Sequence, residues 1–405
     1  MSTHSSSPAS ASWRSAAAEL LAERLAERIR REGPIPFADF MEAALYDERD
    51  GFFARGAGAG RAGSDFVTSP EVGTLFGSFV ARAIDDMWRD FDEPDPFVVV
   101  EAGAGRGRLA ADVLRAEPAC TRALRYVLVE RSAALRQQQR ELLELEPADE
   151  ALGPAVASGD RDDAPVPIRG VGPIVTSLDE LPAIELDPGL VLANELLDNF
   201  PVRIVERAGE GWSEVRVTAH DDMTFGEVLV PAPPDLAREA DLVAAGARVA
   251  PGTRLPVPTA ARDWLRDVAK LLRHGEAIVV DYADDAAGLV ARGPGAWLRT
   301  YRGHERGTSP LDAPGTQDIT CDVPLEYLRG SAEHAGFTVT LDVTQRAWLL
   351  ALGLEDVVEA SAAHWRERAA IGDLDAVAAR SRVIEADALT DRAGLGAHRV
   401  IALRR

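Results

Sequence analysis

The stretch "VVVEAGAGRGRLAADVL", residues 98–114, constrains the fold of this chain more than any other segment. Apolar, β-branched residues run into glycines at 103, 105 and 107, and an amphipathic helical pattern follows. Such a strand, glycine turn and helix begin an open α/β sheet, and they aim backbone amides and a helix N-terminus at a ligand. Spacing separates the two nucleotide cofactors that are held this way. A dinucleotide fingerprint counted from Gly103 needs glycine at 108, where the chain has Arg108. A nicotinamide oxidoreductase is weakened accordingly. The order present is Glu101-x-Gly103-x-Gly105-x-Gly107. An acid two residues before the first glycine, at the carboxyl end of the strand, suits a cofactor with a cationic amino-acid end, and S-adenosylmethionine (SAM) has one. The turn therefore leans towards a methyltransferase, with an ordinary glycine-rich connection as the plainer alternative.

Apolar strand candidates recur along the chain at 97–103, 125–130, 173–178, 189–195, 276–282, 337–343 and 398–404, with helical stretches between them. Seven such strands predict an α/β fold of the Rossmann-like class I methyltransferase type: a doubly wound, mostly parallel seven-stranded sheet. The Ser/Ala-rich residues 1–15 read as a disordered tail. Helical periodicity begins near Ala16, with Leu20, Leu21, Leu25 and Ile29 as its apolar stripe and Gly33 as its stop. Residues 16–95 are then an N-terminal helical segment, and 96–200 with 274–405 form the cofactor-binding core. The intervening 201–273 hold a hairpin at 201–218, the proline-rich "VPAPPDL" and a helix near 260–273. They are expected to form an inserted, substrate-covering subdomain.

Composition removes several alternatives. A formal charge of −22 disfavours affinity for nucleic acid or an anionic membrane surface, and makes a basic protein partner easier to accept. The two cysteines, Cys120 and Cys321, lie far apart, and the seven histidines include no H-E-x-x-H pair, so no metal site is signalled. No apolar run is long enough to span a bilayer, and the polar start lacks the apolar core of a secretory signal, so a cytoplasmic location is expected.

A set of motifs in fixed order carries a resemblance. "GPIPFADFMEAALYDERDGFF" (33–53), "SDFVTSPEVGTLFG" (64–77), the glycine turn, "ANELLDNFPV" (193–202), "YRGHERGTSPLDAPGTQDIT" (301–320) and "TQRAWLLALG" (344–353) together resemble the MidA family of SAM-dependent methyltransferases. The likeness runs from about Gly33 to Leu354. It implies SAM as cofactor, an N-terminal segment that closes over it, and a protein substrate. Mitochondrial members of that family methylate an arginine of a respiratory complex I subunit during assembly, so a subunit of a respiratory NADH dehydrogenase is the partner implied. The family's usual Glu-Leu-Gly-Pro-Gly is here Glu101-Ala102-Gly103-Ala104-Gly105, and its Asp-Tyr-Gly is Asp281-Tyr282-Ala283.

Candidate site residues follow. Glu130 ends the second strand, where a carboxylate can accept bonds from both ribose hydroxyls of a nucleoside; a solvated strand-end glutamate is the alternative. Ser177 and Leu178 end the third strand, at the expected adenine edge, although Ser177 can equally cap the next helix. Thr68, Ser69 and Glu71 lie in "TSPEV", a capped helix start with an early acid, and the resemblance places this segment over SAM. After the fourth strand come Asn194, Glu195 and Asp198. Acids at i and i+3 share one face if a helix begins there, and a carboxylate pair can hold a guanidinium while drawing its charge onto one nitrogen. Acids decorating a helix start are the competing explanation. His304 and Asp318, in the loop after the fifth strand, are polar substrate-side candidates, as is Asp281, which can instead orient that loop. A SAM-dependent arginine methyltransferase is the leading expectation; a SAM-binding, non-catalytic assembly factor is the competitor.

Overall fold

The computed structural model describes residues 8–56, 68–153, 170–302 and 305–405. Its central sheet has seven strands: β1 (Phe97–Ala102), β2 (Leu124–Val129), β3 (Ile174–Leu178), β4 (Gly189–Asn194), β5 (Gly275–Asp281), β6 (Thr338–Thr344) and β7 (Arg399–Arg404). Their order across the sheet is 3-2-1-4-5-7-6. Strands β1 to β5 run parallel, and β7 lies antiparallel between β5 and β6. The order reverses between β1 and β4, and a doubly wound sheet opens a crevice at the carboxyl ends of its strands at such a point.

Period-two alternation divides the apolar side chains between two cores, which is why the strands read as nearly continuous hydrophobic runs. Val99, Leu128, Leu192 and Val280 face one way, onto the helices Leu75–Asp90 and Arg108–Arg115. Val100, Val127, Val191 and Val279 face the other, onto Thr259–Leu271 and Leu325–His334.

A second, antiparallel sheet is built from Arg203–Ala208, Gly211–Ala219, Phe225–Pro231 and Arg254–Val257. Its first two strands are the expected hairpin, closed by a two-residue turn in which Gly209 takes a left-handed φ of 59°. Ile35–Pro36 adds to the edge of this sheet, and Phe37, Phe40 and Met41 share a core with Val205, Val215 and Val217. The N-terminal segment and the insertion are thus packed as one body beside the cofactor half.

Two boundaries and one apolar position differ from the sequence reading. The first helix runs Pro8–Glu32, so the expected tail gives way to helix well before residue 15, and residues 1–7 lie outside the described set. Leu21, Leu25 and Ile29 are buried, but Leu20 is 53% exposed, because it sits about 100° round the helix from Leu21. The helix Thr259–Leu271 packs on the central sheet through Leu265 and Val268, so it belongs to the core and not to the insertion.

Candidate active site

A cavity of about 1130 Å³ opens at the carboxyl ends of β1, β2 and β4. Roughly 300–1,000 Å³ is usual for one small ligand, so the cavity is large enough for a nucleoside cofactor with space beside it. Its floor is the glycine turn. Gly103 and Gly105 both hold left-handed φ, 71° and 52°. A Cβ on Gly103 would come within 2.7 Å of Leu196, whereas one on Gly105 would meet no protein atom within 4 Å, because that position faces the cavity. Gly107 does not line the cavity; it starts the helix Arg108–Arg115, where a Cβ would press on Leu143 at 3.0 Å.

Two carboxylates flank the turn. Glu101, at the end of β1, is 4% exposed and accepts the Tyr126 hydroxyl at 2.7 Å. Burial raises its carboxyl to about 8. Glu130 accepts the Gly105 amide at 2.9 Å and the Ser132 amide at 2.7 Å, and burial raises it as well. No arginine or lysine pairs with Glu101 among the described residues, which leaves a buried acid complementary to an ammonium group. A nucleoside with a cationic amino-acid end fits these residues: open space over Gly105 and an acid at each end.

Burial of Glu101 has a measurable consequence. Its unfolded pKa is near 4.5 and its folded value about 8, so its protonated form contributes stability that is complete below about pH 4.5 and lost as pH rises through 8. The melting temperature of the free protein should fall between about pH 4.5 and 8, and Glu101→Gln should flatten that slope. Equal slopes in the two proteins would remove Glu101 from this account.

Beside the turn stands the loop after β4, whose Leu196 packs against Gly103. Glu195 has φ 50°, a left-handed conformation that costs a non-glycine residue roughly 1–2 kcal/mol and marks a place where geometry is imposed. Its Oε1 accepts the Ser69 amide at 3.1 Å and Nδ2 of Asn194 at 3.4 Å. Burial, then the charge of Asp198, raises its carboxyl to about 8. Asn194 also lines the cavity, and its buried Oδ1 has no hydrogen-bond partner among the described residues.

Several expected contacts fall elsewhere. Asp198 does not share a face with Glu195: residues 197–199 form a tight 3-10 turn that points Asp198 inward, 3% exposed, towards Arg299. Asp281 is 2% exposed and accepts the Leu196 and Leu197 amides at 3.1 and 2.7 Å, so it pins the loop and does not face substrate. Asp318 lies on a buried strand, Asp318–Cys321, and accepts Nδ2 of Asn199 at 2.9 Å; Asn199 is the residue that reaches the cavity. His304 lies outside the described residues. Ser177 is turned away: its hydroxyl donates to Gln139 at 2.6 Å, and Gln139 donates to the Gly105 carbonyl at 2.8 Å. Asp179 and Glu180 line the cavity beyond β3 instead. Thr68 and Glu71 line it too, while Ser69 stands behind them, fully buried.

Gln139, Tyr126 and Asn199 were not anticipated as site residues. Gln139 left a trace, a polar residue on the inward stripe of its helix, and Asn199 stood inside a motif already singled out.

The cavity as a whole is acidic. Asp39, Glu42, Glu71, Glu101, Glu130, Asp179, Glu180, Glu195, Asp263 and Asp267 line it, against Arg28, Arg106, Arg108, Arg131 and Lys270. That balance, ten to five, concentrates cations. The described residues contain no cluster suited to a metal ion and no helix long and apolar enough to cross a membrane.

A 3-2-1-4-5-7-6 sheet whose glycine turn and flanking acids fit a cationic nucleoside defines a class I SAM-dependent methyltransferase. The comparisons agree and narrow it. Residues 79–342 match the model of Methyltransf_28, an S-adenosyl-L-methionine-dependent methyltransferase family, and the chain belongs to that family. A COG1565 superfamily member from Burkholderia thailandensis, solved with S-adenosyl-homocysteine bound, superposes with a TM-score of 0.77 at 29% identity, over 100% of this chain and 95% of that one. Protein arginine methyltransferase NDUFAF7, mitochondrial, of Mus musculus is 28% identical over 81% of this chain and 73% of its own length. The NDUFAF7 homolog of Drosophila melanogaster is 27% identical, over 78% and 70%. The protein is thus a SAM-dependent methyltransferase, and its cofactor is SAM.

Proposed function

We propose that the enzyme methylates an arginine side chain of a protein partner, with Glu195 as the carboxylate that receives the guanidinium. The observation that carries this reading is Glu195 itself: a strained backbone, two hydrogen bonds to one carboxyl oxygen, and a cavity-side position in acidic surroundings with no cation paired to it among the described residues. The names of the curated relatives, protein arginine methyltransferases, support it.

SAM supplies the methyl group together with its own sulfonium leaving group. Glu101 would hold the cofactor's ammonium and Glu130 its ribose, with the open side of Gly105 letting the cofactor approach the backbone. Glu195 and Asn194 Oδ1 would accept N–H bonds from the guanidinium, which offers donors in a planar fork. That pairing draws positive charge away from the attacking nitrogen and orients it. As the nitrogen–carbon bond forms, the nitrogen sheds a proton, and a carboxylate poised near neutrality is suited to take it. The loop anchored by Asp281 and Asn199 keeps this geometry fixed, and alignment within the cavity supplies much of the rate.

The partner proposed is a subunit of a respiratory NADH dehydrogenase, presenting its arginine to the acidic cavity mouth. The cytoplasm is the proposed location; the relatives just named are mitochondrial proteins. Methylation of arginine peptides from candidate subunits by the purified enzyme, mapped by mass spectrometry, tests the reading. Transfer to lysine alone would contradict it.

A further inference from the structure

The motif "TQRAWLLALG" contributes nothing to the cavity wall, yet it carries one fully buried polar side chain, Gln345. Three hydrogen bonds fix it. Its Nε2 donates to the Leu389 carbonyl at 3.0 Å, its main-chain amide donates to the His398 carbonyl at 2.7 Å, and its Oε1 accepts the Ser69 hydroxyl at 2.9 Å. Ser69 is also fully buried, and its main-chain amide is the one that meets Oε1 of Glu195 at 3.1 Å. A continuous chain of contacts therefore runs from the end of the helix Leu374–Leu389, through Gln345 and Ser69, to the cavity carboxylate.

We propose that Gln345 is a positioning residue for methyl transfer: it fixes Ser69, and Ser69 in turn orients the Glu195 carboxylate towards the cavity and favours its charged form. This rests on the reading of Glu195 as the acceptor of the substrate guanidinium. The groups facing Glu195 make the contact consequential. Asp198 in the following turn and Asp318 from its buried strand oppose a charge on Glu195, and Asp281 and Tyr282 at the end of β5 feel that charge in return. Against these, the Ser69 amide and Asn194 favour the ionised carboxylate.

Gln345→Leu removes the acceptor for Ser69 at similar volume, and Gln345→Glu keeps an oxygen there. The assay is kcat/KM for an arginine peptide between about pH 6.5 and 9.5, beside SAM affinity, thermal unfolding and a 13C NMR titration of Glu195 assigned with Glu195→Gln. Gln345→Leu should lose about fivefold in kcat/KM near pH 7, regain it at high pH, and bind SAM within about twofold of wild type. Its Glu195 titration should move upward, and Gln345→Glu should lie closer to wild type. An unmoved titration and pH limb, with only a lower melting temperature, would reduce Gln345 to a structural role and overturn the inference. Ser69→Ala probes the same link if Gln345→Leu does not fold. Failure of the wild type to methylate any arginine would sink the underlying reading, whereas the NMR titration still decides the link itself.

Discussion

Gly105→Val is expected to abolish measurable SAM binding while leaving the protein folded. Gly105 holds φ 52°, and a Cβ there would meet no protein atom within 4 Å, so the native packing has no objection to a side chain. What the branched side chain occupies is the space over the turn, where the cofactor must approach backbone. The left-handed conformation adds roughly 1–2 kcal/mol of strain, which lowers the melting temperature without unfolding the domain. Calorimetric titration should register at least about a hundredfold loss of affinity, consistent with nearly 3 kcal/mol. Gly105→Ala, which adds a single methyl, should fall between. Undiminished binding by the valine variant would place the cofactor somewhere other than this turn.

Glu195→Gln carries the second large effect. Losing a charge-assisted contact made to the guanidinium as charge redistributes should remove roughly 1.5–3 kcal/mol of transition-state stabilisation, about ten- to hundredfold in rate. SAM affinity should stay close to wild type, because the cofactor's charged and ribose groups are assigned to Glu101 and Glu130. The pH dependence sharpens this. Burial and Asp198 raise the Glu195 carboxyl to about 8, so in the free enzyme it is mostly protonated at pH 7. If its charged form receives the substrate, kcat/KM should climb nearly tenfold per pH unit below about pH 8 and level off above. Glu195→Gln should be flat and low over the same range. Asp198→Asn should behave differently: Asp198 sits behind the loop beside Arg299 and out of the cavity lining, so the melting temperature should respond, and, with its charge no longer opposing Glu195, the limb should move to lower pH while the high-pH rate is kept.

The sheet was legible because its buried strands are continuous apolar runs, whereas the half-exposed, antiparallel edge strand β6 alternates, and all seven lie where the sequence places them. The glycine turn, Glu101, Glu130 and Glu195 were legible for a related reason: strand ends in a doubly wound sheet point into the same crevice, so position along a strand predicts the cavity. The misplaced residues lie where that rule stops. Asp281 also ends a strand, but adjacent loop amides capture its carboxylate. Ser177 sits one residue too early, and Gln139 takes its hydroxyl. Asp198 followed Glu195 at helical spacing, yet the chain makes only a single 3-10 turn there before Pro201. Contacts made over large sequence separations, such as Gln345 to Ser69 and Asn199 to Asp318, leave no local pattern, and only the tertiary fold exposes them.

A guanidinium meeting Glu195 in a SAM-loaded cavity is the chemistry proposed. Its most direct test is methyl transfer from isotopically labelled SAM to an arginine-containing protein substrate, with the product mapped by mass spectrometry for wild type and Glu195→Gln. Label on an arginine nitrogen with wild type, reduced about ten- to hundredfold by Glu195→Gln at equal SAM occupancy, is the predicted result. Equal labelling by both proteins, or SAM binding with label on no arginine, would contradict it.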